Sequence, residues 1–330
     1  MKRTFAAAWL IVLLLFGGAL LLPESRHQSR GPAGDRQENE TKQTSVQDSS
    51  VTLKVWDGSK IVEMTMAEYL SGVVRGEMPA TFEAQALAAQ AVAERTYIYY
   101  QMSGGHKEAH PDADICMDHT CCNAWVSEEQ AREKWGKNAD SYEKKIEEAV
   151  QSTDGQVMLY QDRPILAVFH SSSAGVTAGS GDVWTSDLPY LTSVKSPETA
   201  ESVPNYYSVK TVSAEEFRTT FLAAYPEAEL SGETSGWFGE PVENDSGRVE
   251  SIRVGGVSVE GTEMRALFSL RSACFTVETT EGEVSFHVTG YGHGVGMSQY
   301  GANELAKEGK SWQEILAWYY TGVTITDYTR

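Results

Sequence analysis

Residues 73–100, VVRGEMPATFEAQALAAQAVAERTYIYY, decide how the chain is read. They place one glutamate, Glu77, between Gly76 and the pair Met78-Pro79, just ahead of an alanine-rich run. Upstream, Thr65-Met-Ala-Glu68 has the form of a capping box, in which Thr65 accepts from an early amide and Glu68 reaches back. A helix should follow, with Met66, Tyr69, Leu70, Val73 and Val74 on its inner side. Glycine commonly closes a helix and proline commonly opens one. Gly76 is therefore expected to stop the first helix and Pro79 to start the second, over about residues 81–101. Glu77 would stand in a tight connection that holds it better than a free loop could, and the alanines that follow allow close packing against a neighbour.

Working outward, residues 51–57 (VTLKVWD) and 60–64 (KIVEM) read as strands that open the folded region. Residues 154–175, DGQVMLYQDRPILAVFHSSSAG, read as a hairpin: a strand over 156–160, a turn near 161–163, and a second strand over 165–169 that delivers His170 and Ser172. A helical piece over 214–225 precedes a strand-rich portion over 248–288. Then TGYGHGVGMSQYGANELAKEG (289–309) sets Gly290, Gly292, Gly294 and Gly296 around His293 before turning helical. Alternate glycines let a backbone adopt positive φ and approach a ligand closely. Ser311-Trp-Gln-Glu314 is a second capping box, for a final helix through Tyr320. With no regular alternation of strand and helix, the fold class is α+β, mixed strands with Ala-rich helices around a cleft.

The chain has 330 residues and a formal net charge of -19, which argues against a nucleic-acid partner bound through a basic face. Lys2 and Arg3 precede an uncharged run over residues 5–22, long enough at about 27 Å of helix to cross a bilayer. The following LLLPES lacks a small-x-small cleavage site, so the run reads as an uncleaved single transmembrane helix rather than a signal peptide. On that reading residues 1–23 are a cytoplasmic tip and anchor, the polar stretch 24–50 is a flexible linker, and 51–330 is an extracytoplasmic domain in a single-pass membrane protein.

Glu77, walled by Met78, Pro79 and an inner helix face, is a candidate proton donor, because burial raises a carboxyl group toward the range where it can act as an acid. Its bland alternatives are solvation or a salt bridge to Arg75. His110, Cys116, His119, Cys121 and Cys122 gather within AHPDADICMDHTCCNAW. Soft sulfur with imidazole suits tetrahedral zinc, while an exported domain equally suits a disulfide, with Cys116 or Cys274 pairing one of the adjacent cysteines. HSSSAG lacks the G-x-S-x-G elbow of a serine hydrolase, and the glycine loop lacks a phosphate-binding pattern.

Taken together, EYLSGVVRGEMPATFEAQALAAQAVAERTY, FHSSSAGVTAGSGDVW, LPYLTSV and GYGHGVGMSQYGANELAKEGKSWQEILAWYYTGVTI closely resemble the stage II sporulation protein D family, over a likeness running from about Val51 to the C-terminus. The N-terminal anchor fits that family too. The resemblance implies a lytic transglycosylase that cuts the glycan strands of peptidoglycan during engulfment of the forespore. It implies that Glu77 is catalytic and that Arg95 and Tyr190 serve activity. Tyr190, Arg95, His170, Ser172 and the loop bearing Tyr291, His293, Gln299 and Tyr300 would line the cleft and hold the glycan. Many relatives carry lysine where this chain has Thr192. Metal-bearing relatives show a histidine, a cysteine six positions on, and a His-Cys pair. Here His110 and Cys116 keep that spacing but the pair is Cys121-Cys122, so the implied structural zinc has one histidine and three cysteines, with His119 as an alternative ligand. The implied partners are a membrane-bound sporulation amidase that strips stem peptides and a third membrane protein of the same complex. A non-catalytic wall-binding adaptor that enhances an amidase is the rival reading.

Overall fold

The Thr65–Glu68 box is formed: the Glu68 amide donates to Thr65 Oγ1 at 3.2 Å and the Thr65 amide donates to Glu68 Oε2 at 2.7 Å. Helix α1 (Met66–Glu77) starts there, in a computed structural model that describes residues 45–104 and 107–329. Gly76 does not end α1. The helix runs through it and through Glu77, and stops because Met78, the residue before a proline, is extended at φ -117° and ψ 140°. Residues 79–83 turn before α2 (Ala84–Gly104) begins, a little later than its sequence pattern suggests.

Strands β1 (Thr52–Trp56) and β2 (Ile61–Thr65) pair antiparallel, and β3 (Ile115–Cys116) joins β1 in parallel with Cys116 opposite Trp56. Helices α3 (Glu128–Trp135) and α4 (Ala139–Gln151) follow, then β4 (Gln156–Tyr160) and β5 (Arg163–Pro164). Gln161 and Asp162, at φ 52° and 60°, make the two-residue turn of this hairpin. The second strand is shorter than expected, because the chain leaves the hairpin after Pro164 and spends Phe169–His170 (β6) on a different partner.

A first core surrounds α2. That helix is apolar on nearly every side, so no face is left for solvent: Leu87, Ala89, Ala91, Val92, Ala93 and Ile98 are all fully buried. Its one cation, Arg95, is buried with them, 0 % exposed. Arg95 Nη2 and Nε reach the Asp48 carboxylate at 2.6 and 2.8 Å, and Nη1 donates to the Gln156 carbonyl at 3.1 Å. Asp48 lies N-terminal to Val51, where folding was expected to begin, and Val46 N–H already donates to the Tyr328 carbonyl at 3.0 Å.

A second core follows from β7 (Tyr207–Ser213), α5 (Ala214–Ala224), β8 (Val242–Glu243), β9 (Val249–Val254), β10 (Val257–Glu260), α6 (Gly261–Phe268), β11 (Phe275–Thr279) and β12 (Glu283–Thr289). Two three-stranded sheets, ordered β11-β12-β7 and β10-β9-β8, close on Phe217, Phe221, Trp237, Phe268 and Phe286. Helix α6 sits inside a portion that reads as strands in sequence. The chain then returns to the first core: β13 (Met297–Ser298) lies parallel to β6, helices α7 (Gln299–Lys307) and α8 (Trp312–Tyr319) pack there, and β14 (Thr324–Asp327) lies antiparallel to β4. The architecture is mixed α+β, as the sequence pattern indicates.

The single-pass membrane placement is corrected. Among the described residues no helix is long and apolar enough to cross a membrane, and the run over residues 5–22 lies outside them.

Candidate active site

Glu77 is the last residue of α1 and is half-buried. Its Oε1 accepts the backbone N–H of Ala124 at 2.6 Å, and its carbonyl accepts from Gln299 Nε2 at 3.1 Å. Burial pushes the carboxyl group above its ordinary range, against the opposing pull of the Ala124 amide and of His119. Arg75 is not its partner, because that guanidinium is committed to Glu143, with Nε 2.9 Å from Oε2. Glu77 is thus neither freely solvated nor paired to a cation.

The grip of Ala124 explains the glycines of α1. A Cβ on Gly76 would lie 2.4 Å from the Ala124 carbonyl oxygen, and one on Gly72 would lie 2.0 Å from Trp125 Nε1. Val126 N–H also donates to the Gly72 carbonyl at 3.0 Å. Gly76 therefore serves close approach of segment 124–126 to the helix, which brings the amide to Glu77.

That segment directly follows the cysteine cluster. The ligand atoms of His110, Cys116, Cys121 and Cys122 all lie within 4.8 Å of one another. Cys121 and Cys122 sulfurs are 3.9 Å apart and His110 Nε2 is 3.3 Å from Cys122 Sγ. A tetrahedral metal with bonds near 2.3 Å requires sulfur atoms roughly 3.8 Å apart, so this donor set fits one. His110 Nδ1 faces the Ala113 carbonyl at 3.2 Å, which leaves Nε2 for the cluster. The four cysteines are free thiols, and His119 is exposed beside Asp118, apart from the cluster. Lys107 Nζ lies 3.4 Å from Cys122 Sγ and also donates to the Cys121 carbonyl, placing a cation against the sulfurs.

Gln299, which follows the glycine loop at the start of α7, is the residue of this segment that contacts Glu77. His170 and His293 rings approach with centroids 5.8 Å apart, and Ser172 and Tyr291 exchange backbone hydrogen bonds at 3.1 and 2.8 Å. Burial pushes His170 well below the usual imidazole value; burial and the charge of Arg265 lower His293 to about 4. Both are neutral near pH 7. Tyr300 packs edge-on against Phe82 at 4.9 Å. Ser298 caps α7, and its hydroxyl donates to buried Glu198 at 2.5 Å; the same carboxylate takes Ser173 N–H at 2.7 Å. Glu198 thereby ties the HSSSAG turn to the helix that presents Gln299.

Two sequence expectations land elsewhere. Arg95 does not line a cleft; a helix with no exposed side spends its guanidinium on Asp48 and the Gln156 carbonyl. Tyr190 is buried, accepts the Leu166 N–H at 3.2 Å through its hydroxyl, and packs against Tyr160 at 5.5 Å. Conversely, Glu94 passes unnoticed in the sequence reading. It is 0 % exposed, Oε1 accepts from Gln90 Nε2 at 2.8 Å, and Oε2 has no hydrogen-bond partner among the described residues. Burial and the charge of Glu77 push it well above the carboxylate range. A Gln–Glu pair at i and i+4 inside an alanine helix was the available signal, since both must face the interior.

The fold and site define an α+β domain with a gripped, partly desolvated carboxyl group beside a cluster of one histidine and three cysteines. Residues 57–160 match the family described as Stage II sporulation protein. The chain is 32 % identical over 325 residues to Stage II sporulation protein D of Bacillus subtilis (strain 168), covering 96 % of this chain and 93 % of that protein. It is 33 % identical over 328 residues to Stage II sporulation protein D of Bacillus amyloliquefaciens, with the same two coverages of 96 % and 93 %. The chain belongs to the stage II sporulation protein D family. It is also 27 % identical over 309 residues to the Amidase enhancer of Bacillus subtilis (strain 168), matching 78 % of this chain and 40 % of that protein.

Proposed function

We propose that this protein is a peptidoglycan lytic transglycosylase, cleaving the MurNAc–GlcNAc bond of peptide-free glycan during engulfment in sporulation. The observation that carries the reading is the state of Glu77: Oε1 held at 2.6 Å by the Ala124 amide, Oε2 left for a proton, and an acid strength weakened by burial. Hydrolysing glycosidases ordinarily use two carboxylates, the second to activate water or attack the sugar. Glu94 is sealed from any sugar and so does not serve as that second carboxylate.

Neutral Glu77 donates its proton to the glycosidic oxygen as the bond to muramyl C1 breaks. The resulting carboxylate then takes the proton of the muramyl 6-hydroxyl as that oxygen bonds to C1, which closes a 1,6-anhydro ring and restores the acid. Water adds to neither product. Gln299 orients the backbone under Glu77, while Tyr291, His293 and Tyr300 supply ring faces and neutral polar atoms suited to sugar. His110, Cys116, Cys121 and Cys122 would hold a structural zinc, whose four protein ligands leave no open position. Held there, it would supply a cross-link that fixes the loop presenting the Ala124 amide. A membrane-bound sporulation amidase and a third membrane protein are the partners this reading carries.

Glu77→Gln keeps shape and removes the proton. It should abolish anhydromuramyl ends in mass spectra of digested peptide-free glycan while leaving the melting temperature unchanged; a folded variant that still makes them overturns the assignment. The similarity to an amidase enhancer favours one second reading, a wall-binding adaptor that stimulates an amidase, and this predicts no anhydro ends from the unaltered protein.

A further inference from the structure

Arginines in a chain of net charge -19 have acids in plenty, yet Arg248 and Arg265 form no ion pair among the described residues. Both line one small cavity of about 20 Å³ with His293, Gly292, Thr262 and Asp182. Arg248 is 3 % exposed. Its Nη1 donates to the Val176 carbonyl at 3.2 Å and to Ser246 Oγ at 3.1 Å, while Nε is buried without a hydrogen-bond partner among the described residues. A Cβ on Gly294 would lie 1.8 Å from Nη2, so the guanidinium rests on the glycine loop itself. Arg265 Nε donates to the Leu270 carbonyl at 3.3 Å. Asp182, the one acid of the lining, is exposed and directs Oδ2 at the Gly179 N–H, 3.2 Å away. Nearby, Arg271 stacks 4.0 Å over the Tyr291 ring.

Burying a cation is unfavourable unless something anionic or strongly polar meets it. Here two arginines line a space that admits about one water-sized group. A carboxylate is planar and matches the guanidinium fork, and one of its oxygens fills such a space where a sugar ring does not. We propose that this cavity is a carboxylate-binding pocket for the lactyl carboxylate of muramic acid, with Arg248 and Arg265 as its cationic donors. The inference rests on the glycan reading above. In intact wall that carboxyl group is tied up in the amide to the stem peptide, so the pocket would select strands already stripped. A free small carboxylate such as acetate is the other source of the same chemistry.

The test uses the Glu77→Gln chain, so that binding is read without cleavage. Peptide-free glycan oligomers and the same oligomers with the lactyl carboxyl converted to carboxamide are titrated by calorimetry, with sodium acetate as a third titrant. The amidated glycan should bind about ten- to a hundredfold more weakly, the scale of hydrogen bonds to a charged group. Adding Arg265→Gln, at a half-exposed position, should weaken the carboxylate glycan by the same factor and leave the amidated one unchanged; Arg248→Met should do likewise if it folds. Equal affinity for both glycans overturns the pocket while leaving the glycan reading standing. Binding of neither glycan overturns both. Acetate bound in an Arg265-dependent way, with the two glycans bound alike, assigns the cavity to a free anion and overturns the muramyl assignment.

Discussion

Gly76→Ala isolates the contact on which Glu77 depends. By helix propensity alone, alanine for glycine should stabilise α1 by about 1 kcal/mol. The structure reverses that expectation. The new Cβ would stand 2.4 Å from the Ala124 oxygen, against at least 3.4 Å for ordinary contact, so the segment must retreat by about 1 Å. The Ala124 N–H travels with its carbonyl, and the 2.6 Å bond to Glu77 would stretch to about 3.6 Å, outside hydrogen-bonding range. A hydrogen bond to a charged group is worth roughly 1.5–3 kcal/mol, which in the carboxylate half of the cycle corresponds to a ten- to hundredfold loss in turnover. The assay is the rate of anhydromuramyl end formation on peptide-free glycan, beside circular dichroism and thermal melting. Gly104→Ala, whose Cβ meets nothing within 4 Å among the described residues, is the control. Unaltered turnover in a folded Gly76→Ala protein would show that Glu77 works without the amide.

Glu94→Gln should flatten the pH dependence of stability. Because Glu94 is raised above its unfolded value near 4.5, the native state keeps a proton the unfolded chain loses, and stability falls as pH rises above about 4.5, by up to ~1.4 kcal/mol per pH unit. Denaturant melts between about pH 5 and pH 7 should show a shallower decline in the variant; parallel curves would contradict the buried-acid account. Chelation of a metal held by His110 and the three cysteines should cost activity in step with loss of hydrogen-exchange protection at the Ala124 amide, while α2 stays protected. Activity lost ahead of that protection would mark a metal acting on substrate instead.

Local chemistry made much of this protein legible in its amino acids. Both capping boxes, the start of α1 and the hairpin turn follow from short-range patterns, because helix ends and two-residue turns are set by a few neighbouring groups. The clustering of His110, Cys116, Cys121 and Cys122 is legible as well, although their spacing suits a metal and a disulfide alike. Other features depended on residues far apart in the chain. Gly76 reads as a helix stop and proves to be a clearance for Ala124; Arg95 reads as a cleft residue and proves to be the counter-ion of Asp48. Glu94 becomes noteworthy only once every face of its helix is covered. Spacing along a chain reports which atoms can meet within a turn or two, whereas the acidity of Glu77, the pairing of Arg95 and the isolation of Arg248 depend on which distant backbone closes over them, and only tertiary packing decides that.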